Sequence, residues 1–365
     1  MNTGLLDPPK TPATPPANDS MDALLHRAVQ TDASDVHLVA GSPPAFRRHG
    51  RLFSTGDTPM ESRPLASMIR SIMPAELSER FADQRDVDFA LQCPIDAAAR
   101  RFRVNAFHTR GAPGCSIRVI LDEIPTFEWA GFPVGIADRI ADFRNGLVLF
   151  TGVTGSGKST TMAMLIDLIN RRGGYRIITL EEPIEYLFKP QRDSIISQRE
   201  LGADVRSFAD GLKFGLRQDP DVILVGEIRD REAAQLAISA AETGHLVLST
   251  MHTRDAKGAI TRLTDMFSQD IQGELRSQLA MSLRCVVSQH LVPPAKDGDR
   301  RVLALEVMFN NLPVSSAIRF GKIEALGDAI NAGKADGMIG LDDCLNGLLA
   351  TAHITAETAR RFANN

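Results

Sequence analysis

The run Gly152-Val-Thr-Gly-Ser-Gly-Lys-Ser-Thr160 constrains this chain more than any other stretch. It places Gly152, Gly157, Lys158 and Ser159 at the fixed positions of the pattern G-x-x-x-x-G-K-[ST]. Val148, Leu149 and Phe150 precede it as an apolar strand, and a helical pattern follows from Thr161 to Ile169. Glycines allow a turn tight enough for successive N–H groups to converge on one anion. The helix that starts there adds partial positive charge at the same point. Thr154, Gly155, Ser156 and Thr160 complete the loop. Such a cradle fits the phosphates of a nucleoside triphosphate. Lys158 would reach the β- and γ-phosphates and Ser159 would hold a magnesium ion. ATP and Mg2+ are therefore the expected cofactors.

At 365 residues the chain exceeds one ordinary domain, so two are expected. Residues 1–20 carry Pro8, Pro9, Pro12, Pro15 and Pro16 and read as a disordered tail rather than a signal peptide. Met21, Leu24, Leu25, Ala28 and Val29 then recur at helical spacing. Short strand patterns mixed with two helical stretches predict an α+β domain over 21–121. Residues 122–132, with Pro125 among them, read as a linker. Over 133–365 the pattern changes. Strand-like runs at 147–150, 176–180, 222–225 and 246–249 alternate with helical stretches, which predicts a mostly parallel sheet with helices on both faces. The glycine-rich loop then falls at the carboxyl end of a strand, where such sheets bind ligands. From about Gln272 onward the pattern reads as mainly helical, with room for a short strand at Arg301–Leu305.

Composition excludes several classes. A net charge of -4 offers no general attraction for nucleic acid. No apolar run approaches the roughly 18 residues of a membrane span. The four cysteines (Cys93, Cys115, Cys285 and Cys344) are far apart, which speaks against a zinc site or a disulfide framework and fits a reducing cytoplasm.

Three further segments can carry chemistry. Four apolar residues, Val222–Val225, lead to Glu227. An acidic residue there can position or deprotonate an attacking water. Glu181, Glu182 and Glu185 crowd the end of another strand. Like charges need a nearby cation, either magnesium or Arg229, unless they form a solvated acidic turn. His245 and His252 flank the strand-like run 246–249, too far apart for one metal site; a γ-phosphate sensor and a satisfied buried histidine both remain open. Arg101, Arg103 and Arg118 lie late in the first domain. Their planar guanidinium groups can meet phosphate oxygens of a nucleotide, including one on a neighbouring subunit, or can be plain surface charges.

Taken together, these segments resemble the type II/IV secretion ATPase superfamily, and within it the type IV pilus retraction ATPases, the PilT- and PilU-like branch. The resemblance runs from about Met21 to the end. Ala33-Ser-Asp-Val-His-Leu38 looks like the family's opening, and Arg101-Phe-Arg-Val-Asn-Ala-Phe107 like its arginine-bearing strand. Gly152 to Thr160 is its Walker A loop, Ile178 to Glu185 its Asp box, Asp219 to Asp230 its Walker B segment, and Thr243 to Thr253 its His box. The resemblance implies a PAS-like N-terminal domain and a RecA-like ATPase domain with a helical C-terminal part. It implies a homohexamer at the cytoplasmic face of the inner membrane, working on a membrane platform protein and perhaps beside a second retraction ATPase. By carry-over Glu227, Glu185, Glu181, His252 and His245 are catalytic, Ser159 and Glu182 face the metal, and Arg101, Arg103 and Arg118 contact phosphate. Two departures stand out. Glu182 occupies a place where the Asp box has Asp. Ala317-Ile-Arg-Phe-Gly-Lys-Ile-Glu324 keeps only the start of a C-terminal segment found in retraction ATPases. The second leaves an accessory PilU-like motor open.

Overall fold

A computed structural model describes residues 20–364, except 49, 97, 121–122, 190, 192 and 297–298. The expected proline-rich tail, but for Ser20, and the expected domain junction at 121–122 lie outside the described residues. The chain divides at 121/122 into two compact units.

The first unit holds α1 (Met21–Gln30), β1 (Asp35–Val39), β2 (Ala45–Arg48), β3 (Arg51–Ser54), α2 (Ser62–Ile72), α3 (Ala75–Gln84), β4 (Asp86–Ile95), β5 (Ala98–Thr109) and β6 (Ala112–Val119). Its six strands run in the order β3-β2-β1-β6-β5-β4, and every pairing is antiparallel. Period-two alternation decides which side chains are covered. Val36, Leu38, Phe102, Val104, Ala106, Cys115 and Ile117 form a core with Leu24, Leu25, Leu65 and Ile69 of the helices. Intervening residues, among them Asp35, His37, Arg101, Arg103 and Arg118, occupy the other face and stay at least partly exposed.

The second unit holds α4 (Phe127–Ala130), α5 (Val134–Ala141), β7 (Gly146–Thr151), α6 (Lys158–Arg172), β8 (Arg176–Glu181), β9 (Ile195–Glu200), α7 (Phe208–Gly215), β10 (Val222–Val225), α8 (Arg231–Glu242), β11 (Leu246–Met251), α9 (Ala256–Asp265), α10 (Gln272–Ser282), β12 (Leu283–Val292), β13 (Val302–Phe309), α11 (Leu312–Arg319), α12 (Ala325–Ala332), α13 (Leu341–Ala350) and α14 (Ala356–Phe362). The strand order is β13-β12-β7-β11-β10-β8-β9. All neighbours are parallel except β12 and β13. Every residue of β7, β10 and β11 is buried, the run expected of strands covered on both faces.

Two sequence expectations need correction. Within the expected linker 122–132, Thr126 caps α4 by accepting from the N–H of Trp129 at 3.2 Å, and Phe132 is buried in the second unit's core. That stretch therefore packs with the sheet that follows it. The region after Gln272 is also less helical than expected. β12 spans ten residues and pairs with β7, at the centre of the sheet. Its polar Ser288 and Gln289 disguised it, and both are buried for reasons the site makes plain.

Candidate active site

Strand register brings the chemistry to one edge. Thr151, the last residue of β7, pairs with Met251 on one side and Ser288 on the other. Val225 pairs with Leu180 and with Ser249. Residues just past these partners must therefore emerge side by side. They are the loop from Gly152, Glu181–Glu182, Glu227 and His252. Parallel strands alone give this result, because all their carboxyl ends face the same way.

The phosphate loop is built as its glycines require. Gly152, Gly155 and Gly157 have φ of 140°, 77° and 91°. A Cβ on Gly152 would lie 2.4 Å from the carbonyl oxygen of Gln289 and 2.5 Å from Ser156 Oγ, so packing as well as backbone demands glycine there. Lys158 opens α6 and is buried; its Nζ donates to the carbonyls of Gly152 at 2.8 Å and Val153 at 3.2 Å. Burial lowers the Lys158 pKa, opposed by the charges of Glu227 and Glu185. Thr154, Gly155 and Ser159 are exposed. Thr160 Oγ1 lies 3.0 Å from the Tyr186 hydroxyl, and Gln289 donates to Thr161 Oγ1 at 2.9 Å. Thr151 Oγ1 donates to Ser288 Oγ at 2.9 Å. Ser288 and Gln289 thus brace the base of the loop. Ser156 Oγ is buried with no hydrogen-bond partner. This donor set, a buried ammonium on backbone carbonyls beside an orphaned hydroxyl, fits a polyphosphate. The exposed Ser159 hydroxyl and nearby carboxylates fit its magnesium.

The carboxylates form a connected group. Glu227 Oε2 accepts from Arg229 Nε at 2.8 Å, and Glu227 Oε1 lies 3.4 Å from His252 Nε2. Arg229 Nη1 donates to Glu182 Oε2 at 2.6 Å, so it supplies the cation that crowded carboxylates require. Burial lowers the His252 pKa, helped by Lys158 and opposed by Glu227, so the imidazole is neutral at pH 7. Glu181 points back under the strand end, accepting from Thr179 Oγ1 at 2.6 Å and from Gln198 Nε2 at 3.2 Å. Burial pushes its carboxyl up to about 7 against those two hydrogen bonds. Glu185 is electrostatically coupled to Lys158, Glu181 and Tyr186. Edge strand β9 fixes the acidic loop: Gln198 donates to the carbonyl of Tyr186 at 2.7 Å, and Glu200 accepts from the N–H of Ile184 at 3.0 Å. Sequence reasoning passed over Gln198, Glu200 and Tyr186 because β9 is a polar edge strand without a clear apolar rhythm.

His245 is not brought into this group. It precedes β11, and Gly146 at the start of β7 donates to its carbonyl at 3.0 Å. Six strand residues, roughly 20 Å, separate it from the edge where His252 lies. Its Nδ1 lies 3.0 Å from the carbonyl oxygen of Ala240. Arg101, Arg103 and Arg118 lie in the first unit. Arg103 is opposite Arg118 across β5 and β6, and Arg118 Nε donates to Asp35 Oδ1 at 2.9 Å. Arg103 Nε lies 3.8 Å from Asp88 Oδ1.

Fold and site together define a phosphate-loop protein with its acidic groups on neighbouring parallel strands. The family profile described as type II/IV secretion system protein matches residues 13–318, and the chain belongs to this family. The type IV pilus retraction ATPase PilT of Pseudomonas aeruginosa is 39% identical, over 93% of this chain and 97% of that protein. The type IV pilus ATPase PilU of the same organism is 36% identical, over 94% and 88%. Among solved structures, the pilus retraction motor PilT with bound ADP matches with a TM-score of 0.83 at 36% identity, covering 95% of this chain and 98% of that one. The Legionella pneumophila ATPase DotB matches with a TM-score of 0.81 at 26% identity, covering 96% and 97%.

Proposed function

We propose that this protein is a ring-forming, ATP-hydrolysing motor that powers type IV pilus retraction and so twitching motility. The observation that carries hydrolysis is the convergence of Glu227, His252 and the phosphate loop at one sheet edge, with Lys158 electrostatically coupled to Glu227. Gly152 to Thr160 bind the triphosphate of ATP. Ser159 and Glu182 hold its magnesium, which neutralises developing charge on the phosphates when bound. Glu227 orients the attacking water and accepts its proton. His252, neutral and beside Glu227, senses the γ-phosphate end, and Glu181 and Glu185 tune the acidic edge. Relatives named for pilus retraction, similar along nearly their whole lengths, support the machine assignment.

The first unit has helices on one face of an antiparallel sheet, which supports a PAS-like domain, and the second reads as RecA-like. In this reading the motor is a homohexamer. Arg101, Arg103 and Arg118 meet nucleotide held by their own or a neighbouring subunit, and His245 serves away from its own phosphate loop. Its place is the cytoplasmic face of the inner membrane, held by a platform protein, with a second retraction ATPase as a further partner and no nucleic acid. No helix among the described residues is long and apolar enough to cross a membrane.

One second reading has its own support. Glu182 and the segment 317–324 depart from the retraction pattern, and similarity to PilU is nearly that to PilT, which favours an accessory motor. Deleting the gene and imaging surface pili tests both. Pili that extend but never retract are expected of a main motor, and weakened retraction under load of an accessory one. Normal retraction would overturn the proposal. Light scattering with ATP present should show a hexamer; a monomer would contradict the ring.

A further inference from the structure

Arg229 has no part in the scheme above, yet its geometry is the most constrained at the site. It sits on the turn from β10 into α8. Ile228 before it is buried and donates its N–H to the carbonyl of Thr250 at 3.1 Å. Asp230 after it caps α8, accepting from the N–H of Ala233 at 2.8 Å. The backbone is therefore pinned on both sides of Arg229, and its side chain is aimed at the acidic edge. There Nε bonds Glu227 at 2.8 Å and Nη1 bonds Glu182 at 2.6 Å. The second Glu227 oxygen lies 3.4 Å from His252 Nε2. Both oxygens of the proposed general base thus have a nitrogen partner, whereas a base needs a free lone pair facing the proton it takes.

We propose that Arg229 is a positioning residue that clasps Glu227 and Glu182, acting as their counter-cation until a divalent ion and nucleotide load the site. The proposal rests on the reading of Glu227 and Glu182 as hydrolysis groups. Two adjacent carboxylates repel unless a cation lies between them, and a planar guanidinium can bond one with Nε and the other with Nη1. A divalent cation competes for the same carboxylate oxygens. A phosphate competes for the guanidinium, because charge-assisted bonds to phosphate match those to carboxylate. The Arg229 side chain is 54% exposed, so it can swing away without opening the core. The clasp therefore keeps Glu227 from activating water before the site is loaded.

The test is Mn2+ binding to the full-length protein without nucleotide, followed by the spin resonance of the free ion. Arg229→Ala and Arg229→Gln should bind Mn2+ roughly tenfold more tightly than wild type, with Arg229→Lys in between. On a Glu182→Gln background the gain should vanish. The magnesium concentration for half-maximal ATPase should fall in parallel. Should Arg229→Ala not fold, the Gln and Lys variants carry the comparison. Unchanged Mn2+ affinity in the Ala and Gln variants overturns the clasp, as does a gain that survives in Glu182→Gln. Equal loss of kcat in the Ala and Lys variants, with KM and magnesium dependence unchanged, also overturns it, since Arg229 would then brace Glu227 during turnover. An inactive wild type would instead sink the hydrolysis reading, while the Mn2+ titration would still decide the clasp.

Discussion

The two sheets of this protein treat charge in opposite ways. The antiparallel sheet of the first unit spreads arginines over an open face and pairs them with carboxylates on adjacent strands, as Arg118 with Asp35. Such pairs are partly exposed and contribute little stability each. The mostly parallel sheet of the second unit concentrates charge at one edge. Lys158 is buried, Glu227 is 15% exposed, and burial pushes Glu181 up to about 7. Strand direction makes the difference. Antiparallel strands alternate their ends and so offer chemistry only on a face. Parallel strands aim all their carboxyl ends at one place, where desolvated groups of both signs can be held together.

Substitutions can break this contrast, starting with the strongest. Lys158→Ala should weaken nucleotide binding at least about a hundredfold, since charge-assisted bonds to a polyphosphate have no substitute there. Titration with a fluorescent ATP analogue measures it, and tight binding would mean the loop had been misread. Gly152→Ala should also disrupt the loop, because the new Cβ meets Gln289 and Ser156 within 2.5 Å. Gly155→Ala meets nothing within 4 Å, so only the strain of its φ of 77° remains, about 1–2 kcal/mol. Thermal melts and the same titration should rank the two in that order. Arg118→Ala in the first sheet should change stability by less than about 1 kcal/mol in denaturant unfolding.

The smallest effect concerns Glu306, buried on β13 and accepting from the N–H of Ala256 at 2.8 Å. Burial raises its pKa, so its protonated form favours the fold at low pH. That contribution is lost as pH rises above the ordinary carboxylate range. Glu306→Gln keeps the acceptor and removes the charge. Its Tm advantage over wild type should therefore widen from pH 5 to pH 8. A constant difference would show that the carboxyl is not held protonated by its surroundings.

What could be read from the sequence followed from how local each constraint was. The phosphate loop was legible because backbone geometry demands glycine at fixed places and the anion demands Lys158. Glu227 was legible because an unbroken apolar run points to it. Arg229 could be named as a counter-cation because three glutamates on one turn require one. β12 was hidden because the loop needs Ser288 and Gln289 beneath it, and those polar residues interrupt the apolar pattern. β9 was hidden because an edge strand has no second face to bury, so Gln198 and Glu200 could be spent on holding the acidic loop. Phe127 and Phe132, beyond Pro125, pack into the core because their burial outweighs the break that proline signals. His245 and His252 looked alike in the chain. Only the length of β11 separates their ends of the sheet.

The central claim is that Glu227 at the carboxyl edge of β10 is the base that turns binding into hydrolysis. ATPase rates of wild type and Glu227→Gln, measured beside nucleotide affinity, test it most directly. A fall in kcat of at least about a hundredfold with affinity retained is the expected result. A wild type no faster than Glu227→Gln would contradict it and leave a protein that binds ATP without using it.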